Sequence, residues 1–356
     1  MNRLFNNEDF KNAYENKKVI VTGNTGFKGS WLSLWLLMLG AEVYGYALEP
    51  EYKNSHFSLL KLDKQMQCTY KDIRDFDTLN NFIVSIEPDY VFHLAAQAIV
   101  STSYKQPRQT FDTNINGSAN VLESVMAIDS VKSLIYTTSD KCYKNKEWLW
   151  GYRENDELGG VDPYSASKAC AELIFDSYKK CFFDNKRDLG ISSVRAGNVI
   201  GGGDWAENRI VPDCARALIS GNPIEVRNPH STRPWQYVIE PLSGYLTLAA
   251  LQYNNKSFSG AWNFGPESNA VHTVEELVTG MIKQWGAGKL NVVSEESFHE
   301  SSLLKLDCDK AHQRLGWKAR WDFNETVSET VNWYSSYTKN DIISENQINQ
   351  YMKAGI

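Results

Sequence analysis

Hydrophobic positions along this chain fall in short runs divided by polar, glycine-rich joints. Lys17–Thr22 is an apolar run of strand length. From Gly26 to Gly40 the apolar residues run too far for a strand and stop at glycine, which predicts a buried helix. Strand patterns return at Ala41–Leu48 and Cys68–Tyr70, with a helix over Asp75–Ile86. Tyr90–Ala96 predicts a fourth strand and its exit loop, Arg108–Ala127 a long helix, and Ser133–Ser139 a fifth strand. A helix over Tyr164–Phe182 and a sixth strand over Ile191–Arg195 follow. Strands alternating with helices predict an α/β fold, a doubly wound parallel sheet covered on both faces. Past residue 195 the pattern turns mixed, with a helix near Asn208–Ser220 and turns at Gly221-Asn222-Pro223 and Asn228-Pro229. Two domains are expected, 1–195 and a smaller mixed α/β substrate-binding domain over 196–356, with an interleaved boundary. The polar stretch Gly151–Pro163 reads as a loop covering a site.

Charge and composition narrow the partners. The net charge is -6 and no block of consecutive basic residues occurs, which argues against nucleic acid or an anionic membrane. The most apolar stretch, Trp31–Leu39, is too short to span a bilayer, and the first residues lack the apolar run of a signal peptide. A cytoplasmic protein is expected. Six cysteines are scattered without a CxxC pair, so neither a disulfide framework nor a zinc site is indicated. His93, His230, His272, His299 and His312 share no ligand spacing, and no metal is expected. Trp148, Trp150, Trp205 and Trp235 are read first as packing residues.

Two motifs carry chemistry. Thr22-Gly23-Asn24-Thr25-Gly26-Phe27-Lys28-Gly29 follows a strand and opens a helix, where a tight turn lets a phosphate approach helix N–H groups. That makes the sheet Rossmann-type and a dinucleotide the expected cofactor. Glu49 lies at the outer end of the second strand, and no Arg or Lys follows before Lys53 to hold a 2′-phosphate, so NAD is favoured over NADP. Asp72 and Ile73, just past the third strand, are candidates for holding adenine. Tyr164 and Lys168 stand at i and i+4 on one helix face, a phenol for proton transfer with an ammonium to stabilise the phenolate. Ser139-Asp140-Lys141 adds a hydroxyl, an acid and an amine at the end of the fifth strand.

With these residues the chain resembles the extended short-chain dehydrogenase/reductase superfamily. Within it the likeness is to the nucleotide-sugar 4,6-dehydratases. The likeness covers TGxxGFxG, His93-Leu94-Ala95-Ala96-Gln97, Thr113-Asn114-Ile115-Asn116-Gly117, Tyr164/Lys168, the stretch Arg195–Trp205, and Arg233-Pro234-Trp235-Gln236. Related dehydratases usually carry glutamate where Lys141 stands, and lysine there resembles the CDP-glucose branch. The resemblance implies that Tyr164, with Ser139, deprotonates the sugar C4 hydroxyl, that Lys141 removes the C5 proton and that Asp140 protonates the leaving C6 hydroxyl. It also implies NAD contacts at Gly23, Thr25, Gly26, Phe27, Gly29, Leu94, Ala95, Ala96, Thr113, Tyr164 and Lys168. Substrate contacts would come from Gln97, Asn198, Arg209 and Arg233. The implied substrate is CDP-glucose or a related nucleotide sugar, the product a 4-keto-6-deoxy sugar for deoxysugar and O-antigen precursors, and the assembly a homodimer through the helices near 108–127 and 164–182. Three readings stay open beside it: a dTDP-, GDP- or UDP-sugar dehydratase, a nucleotide-sugar 4-epimerase, and a dinucleotide-binding regulator with a dead site.

Overall fold

The computed structural model describes residues 7–184, 188–267, 270–293 and 303–353. Six strands form on the predicted apolar runs: β1 (Lys18–Thr22), β2 (Glu42–Ala47), β3 (Gln67–Tyr70), β4 (Tyr90–His93), β5 (Ser133–Thr137) and β6 (Gly190–Arg195). β4, β5 and β6 are buried throughout, as expected of strands covered on both faces. A further strand, Gly260–Asn263, pairs with β6, so the sheet has seven strands in the order Gly260–Asn263, β6, β5, β4, β1, β2, β3, all parallel. The last of these eludes periodicity because Gly-Ala-Trp-Asn has neither alternation nor an apolar run. The direction of winding reverses between β1 and β4, and a ligand crevice opens there above the strand ends.

The Ile239–Asn254 helix also lies past residue 195 yet packs on β5 and β6. It is buried nearly all round, so no amphipathic stripe announces it. Gln252 on this helix donates to Ser133 Oγ (2.9 Å) and the Leu134 carbonyl (3.1 Å), joining it to β5. One apolar core runs from Trp31 and Trp35 of the Phe27–Met38 helix through Trp262 to Trp333 and Tyr351 near the C-terminal end. A second, on the other sheet face, gathers Ile20, Leu134, Val121 and Phe175.

The predicted helix over 108–127 is interrupted. Pro107–Phe111 is α-helical, Asp112–Gly117 widens into a π-helical turn, and Ser118–Met126 resumes the α-helix. In the widened turn Asn114 points inward, accepting from the Gln97 amide (2.8 Å) and donating to Ser167 Oγ (2.9 Å). The helix predicted over 164–182 runs from Pro163 to Tyr178 and widens likewise over Lys179–Phe183.

Candidate active site

β1 delivers the glycine loop to the crevice. Thr22 Oγ1 and His93 Nδ1 lie 2.7 Å apart, and the Leu94 amide donates to the Thr22 carbonyl (3.1 Å), so the exits of β1 and β4 are laced together. Burial pushes His93 down to about 3, and its Nε2 meets Ser118 Oγ at 2.9 Å. Gly29 packs so closely on Gly23 that a Cβ would overlap the Gly23 carbonyl. The Phe27–Met38 helix has Gly26 as its N-cap with no side-chain cap, so its first amides are left for another acceptor, which fits a dinucleotide pyrophosphate. Thr25 Oγ1 donates to the Leu48 carbonyl (2.9 Å), tying the loop to the end of β2, where Glu49 is exposed. Asp72 is taken by Arg74 (2.7 Å), whose guanidinium holds the carboxyl below its usual range. The Ile73 side chain packs into the core, and its carbonyl accepts from Asn120 (2.9 Å). Ala95, Ala96 and Thr113 are half-buried.

The catalytic candidates meet at the end of β5. The strand stops at Thr137, earlier than predicted, and Asp140–Cys142 forms one tight helical turn capped by Ser139. Ser139 Oγ donates to Asp140 Oδ1 at 2.8 Å. Gly197 lies directly against this carboxylate, and any Cβ there would overlap Asp140 Oδ2. Lys141 is half-buried. Across from this turn the Pro163–Tyr178 helix, started by Asp162 and Pro163, presents Tyr164 and Lys168, both nearly buried. Burial pushes the Tyr164 phenol up to about 12, a Ser139 hydrogen bond pulls it down, and Asp140 adds to the rise. A phenol lowered by its lysine neighbour was expected; instead burial outweighs the cations, and Arg209 is the one that the phenol feels. Burial and the like charge of Lys28 push Lys168 down to about 8.

Beneath these residues lies a network that the sequence reading missed. Glu172, on the same helix as Tyr164 and Lys168, forms a buried fork with Arg195 (2.8 and 2.7 Å) and accepts from Thr138 and Ser193. Arg195 in turn donates to Tyr143 OH (2.7 Å), and Tyr143 donates to Asn263 Oδ1 (2.7 Å). The i+4 spacing from Lys168 to Glu172 was the one local signal for it. The 151–163 stretch folds over this network: Tyr152 stacks on Tyr143 and bridges to Leu306.

The substrate candidates lie on separate segments of the chain. Asn198 leaves β6 in the left-handed region (φ 52°). Arg209 pairs with Asp204 at 2.9 Å, and Arg233 sits in a two-residue strand against His272–Thr273, donating to the Thr232 carbonyl. Gln97 uses its side chain locally, donating to Thr110 (2.8 Å) and accepting from the Ile99 amide (2.6 Å). Asp140, Gln236, Pro234, Leu304 and Leu306 line a narrow gap beside the turn. Trp205 and Trp235 are buried, whereas Trp150 is exposed. Among the described residues no cluster of metal-ligating side chains forms and no helix is long and apolar enough to cross a membrane. His299 lies outside the described residues.

A family model described as GDP-mannose 4,6 dehydratase matches residues 20–330. The chain is 46% identical over 353 residues to a CDP-glucose 4,6-dehydratase of Salmonella typhimurium, covering 97% of this chain and 98% of that one. Among solved structures, UDP-glucose 4-epimerase of Thermotoga maritima superposes with TM-score 0.78 at 22% identity, over 90% of this chain and 99% of that one. A dTDP-glucose 4,6-dehydratase of Streptomyces venezuelae with NAD bound gives TM-score 0.77 at 21% identity, over 90% and 98%. At those identities the two structures speak to the fold.

Proposed function

The chain belongs to the GDP-mannose 4,6 dehydratase family, and on that footing we propose that it is an NAD-dependent enzyme that converts CDP-D-glucose to CDP-4-dehydro-6-deoxy-D-glucose. The observation that carries this reading is the acid–amine turn: Asp140, gripped by Ser139 and Gly197, with Lys141 next to it, facing Tyr164 and Lys168. An epimerase has no use for that turn. The choice of a cytidine nucleotide rests on the near full-length likeness to the Salmonella enzyme.

NAD, held by the glycine loop, supplies the hydride acceptor and donor when bound. Ser139 holds the sugar C4 hydroxyl while Tyr164 takes its proton and C4 becomes a ketone. Because burial raises the phenol to about 12 in the protein alone, activating Tyr164 falls to Ser139 and Arg209, which both favour its ionised form. The ketone acidifies C5–H, and Lys141, at the mouth of the turn, removes that proton. Asp140 is the acid that delivers a proton to the C6 hydroxyl, which leaves as water. The electron pair taken from C4 ends on C6, so the whole reaction is redox-neutral. Asn198, Arg209 and Arg233 would hold the diphosphate, arginine being suited to forked phosphate contacts. A homodimer belongs to the same reading, supported by Leu173 and Phe182, which leave apolar surface exposed on the helix near 164–182.

The test is to incubate the purified protein with CDP-, dTDP-, GDP- and UDP-glucose and with GDP-mannose, with and without added NAD, and assay for 4-keto-6-deoxy product. CDP-glucose alone should turn over well; turnover of another sugar nucleotide in its place sinks the assignment, and a 4-epimer formed without loss of water sinks the dehydratase. Lys141→Met is expected to lower turnover on the order of 10²-fold or more and to end solvent deuterium uptake at C5 while C4 oxidation persists. Normal elimination by this variant would make Lys141 a bystander.

A further inference from the structure

His56 is an imidazole enclosed among aromatic rings of the larger core. It lies flat on Trp31, with ring centres 4.5 Å apart and planes 12° apart, and Trp333 stands at its side. Gly203 packs against it so closely that a Cβ there would overlap the His56 Cβ. A polar ring in such a place costs free energy unless both of its nitrogens find partners. Both do. Nδ1 meets Ser30 Oγ at 2.8 Å, and Nε2 meets Ser344 Oγ at 2.8 Å.

The other partners of the two hydroxyls fix which atom donates. Ser30 Oγ gives its hydrogen to the Phe27 carbonyl (2.9 Å), so it accepts from His56 Nδ1. Ser344 Oγ accepts from Trp333 Nε1 (2.8 Å), and its own hydrogen goes to His56 Nε2. The ring is therefore neutral with its proton on Nδ1, in keeping with burial that pushes it down to about 3. One directed chain of hydrogen bonds runs from Trp333 through Ser344, His56 and Ser30 to Phe27. Its far end stands on the Phe323–Tyr337 and Ser344–Lys353 helices, and its near end is the first turn of the Phe27–Met38 helix.

That first turn has little support of its own, because Gly26 offers no side-chain cap. Support arrives from distant segments instead. Besides His56, the Gly202 carbonyl accepts from Trp31 Nε1 (3.0 Å), which joins the Gly201-Gly202-Gly203 run to the same helix. Amides that receive an anion bind it best when neighbouring side chains already hold them in place.

We propose that His56 is a positioning residue for the cofactor: by donating to Ser30 it fixes the first turn of the glycine-loop helix and ties that turn to the helix at 344–353. The C-terminal part of the chain thereby sets how firmly NAD is held, although it lies far along the sequence from the glycine loop. This inference rests on the reading of that loop as an NAD site.

The test measures the NAD dissociation constant of the purified full-length protein, beside kcat with CDP-glucose at saturating NAD. His56→Leu is expected to raise the dissociation constant about tenfold, the size of one lost buried hydrogen bond, with the loss falling on NAD affinity rather than on kcat. Ser30→Ala, which leaves the imidazole in place, should give a similar rise and decides the matter if the leucine variant does not fold. His56→Asn, whose amide can still donate to Ser30, should recover most of the affinity. Wild-type affinity in Ser30→Ala or in a folded His56→Leu, with only the melting temperature lowered, overturns the proposal and makes His56 a packing residue. An asparagine variant as weak as the leucine one also overturns it. Failure of the wild-type protein to bind NAD would instead remove the NAD reading itself.

Discussion

Lys168 carries an ammonium in a nearly closed site, and burial with Lys28 beside it lowers its pKa from 10.5 to about 8. Between those two values the unfolded chain binds the proton that the folded chain has released, so this group makes stability rise with pH across that window. Below the folded value both states are protonated and the full cost of burying the charge is present. Lys168→Met is therefore expected to gain on the order of 2 kcal/mol at pH 7 while turnover is lost, with the gain shrinking toward pH 10. Melting temperatures of both proteins across that range measure it; a constant or absent gain would mean that the ammonium is better solvated than its burial indicates. At this scale much was legible from sequence: the glycine loop, Tyr164/Lys168 and Ser139–Lys141 are each contiguous or one helical turn apart. The state of the Tyr164 phenol was not legible, because it depends on how completely other segments exclude water.

Elements set the distances between those residues. The Pro163–Tyr178 helix is pinned to the exits of β5 and β6 by Glu172, which answers Arg195, Thr138 and Ser193 together. Glu172→Ala would leave Arg195 buried without its counter-charge, and is expected to cost about 3–5 kcal/mol in urea unfolding. Because that anchor also fixes Tyr164 against Ser139, Glu172→Gln should lower kcat more than it changes KM for the nucleotide sugar. Equal kinetics in a folded variant would reduce the network to stability alone. Strand and helix positions were largely legible, since runs and alternation are local. The break at Asp112–Gly117 was not, because Asn114 turns inward only when Gln97 and Ser167 are there to receive it.

At the scale of the molecule, chain order and spatial order part company. Gly260–Asn263 completes the sheet beside β6, and the Ile239–Asn254 helix covers β5 and β6, although both lie beyond residue 195. The core continues from Trp31 to Tyr351. A fragment ending at residue 195 is accordingly expected to lack cooperative unfolding and to bind a hydrophobic dye, because one sheet face and the edge of β6 would be uncovered. A sharp, reversible melt of that fragment would show a self-sufficient unit. The sequence by itself determined the strand–loop–helix units, the glycine loop and the grouping of hydroxyl, acid and amine at the end of β5, because each arises within a few residues. Only the tertiary structure decided which charges share a low-dielectric interior. Glu172 with Arg195, and Lys28 over Tyr245, come from segments that meet only when the chain closes around its core, and burial there sets what each charge costs and what it does.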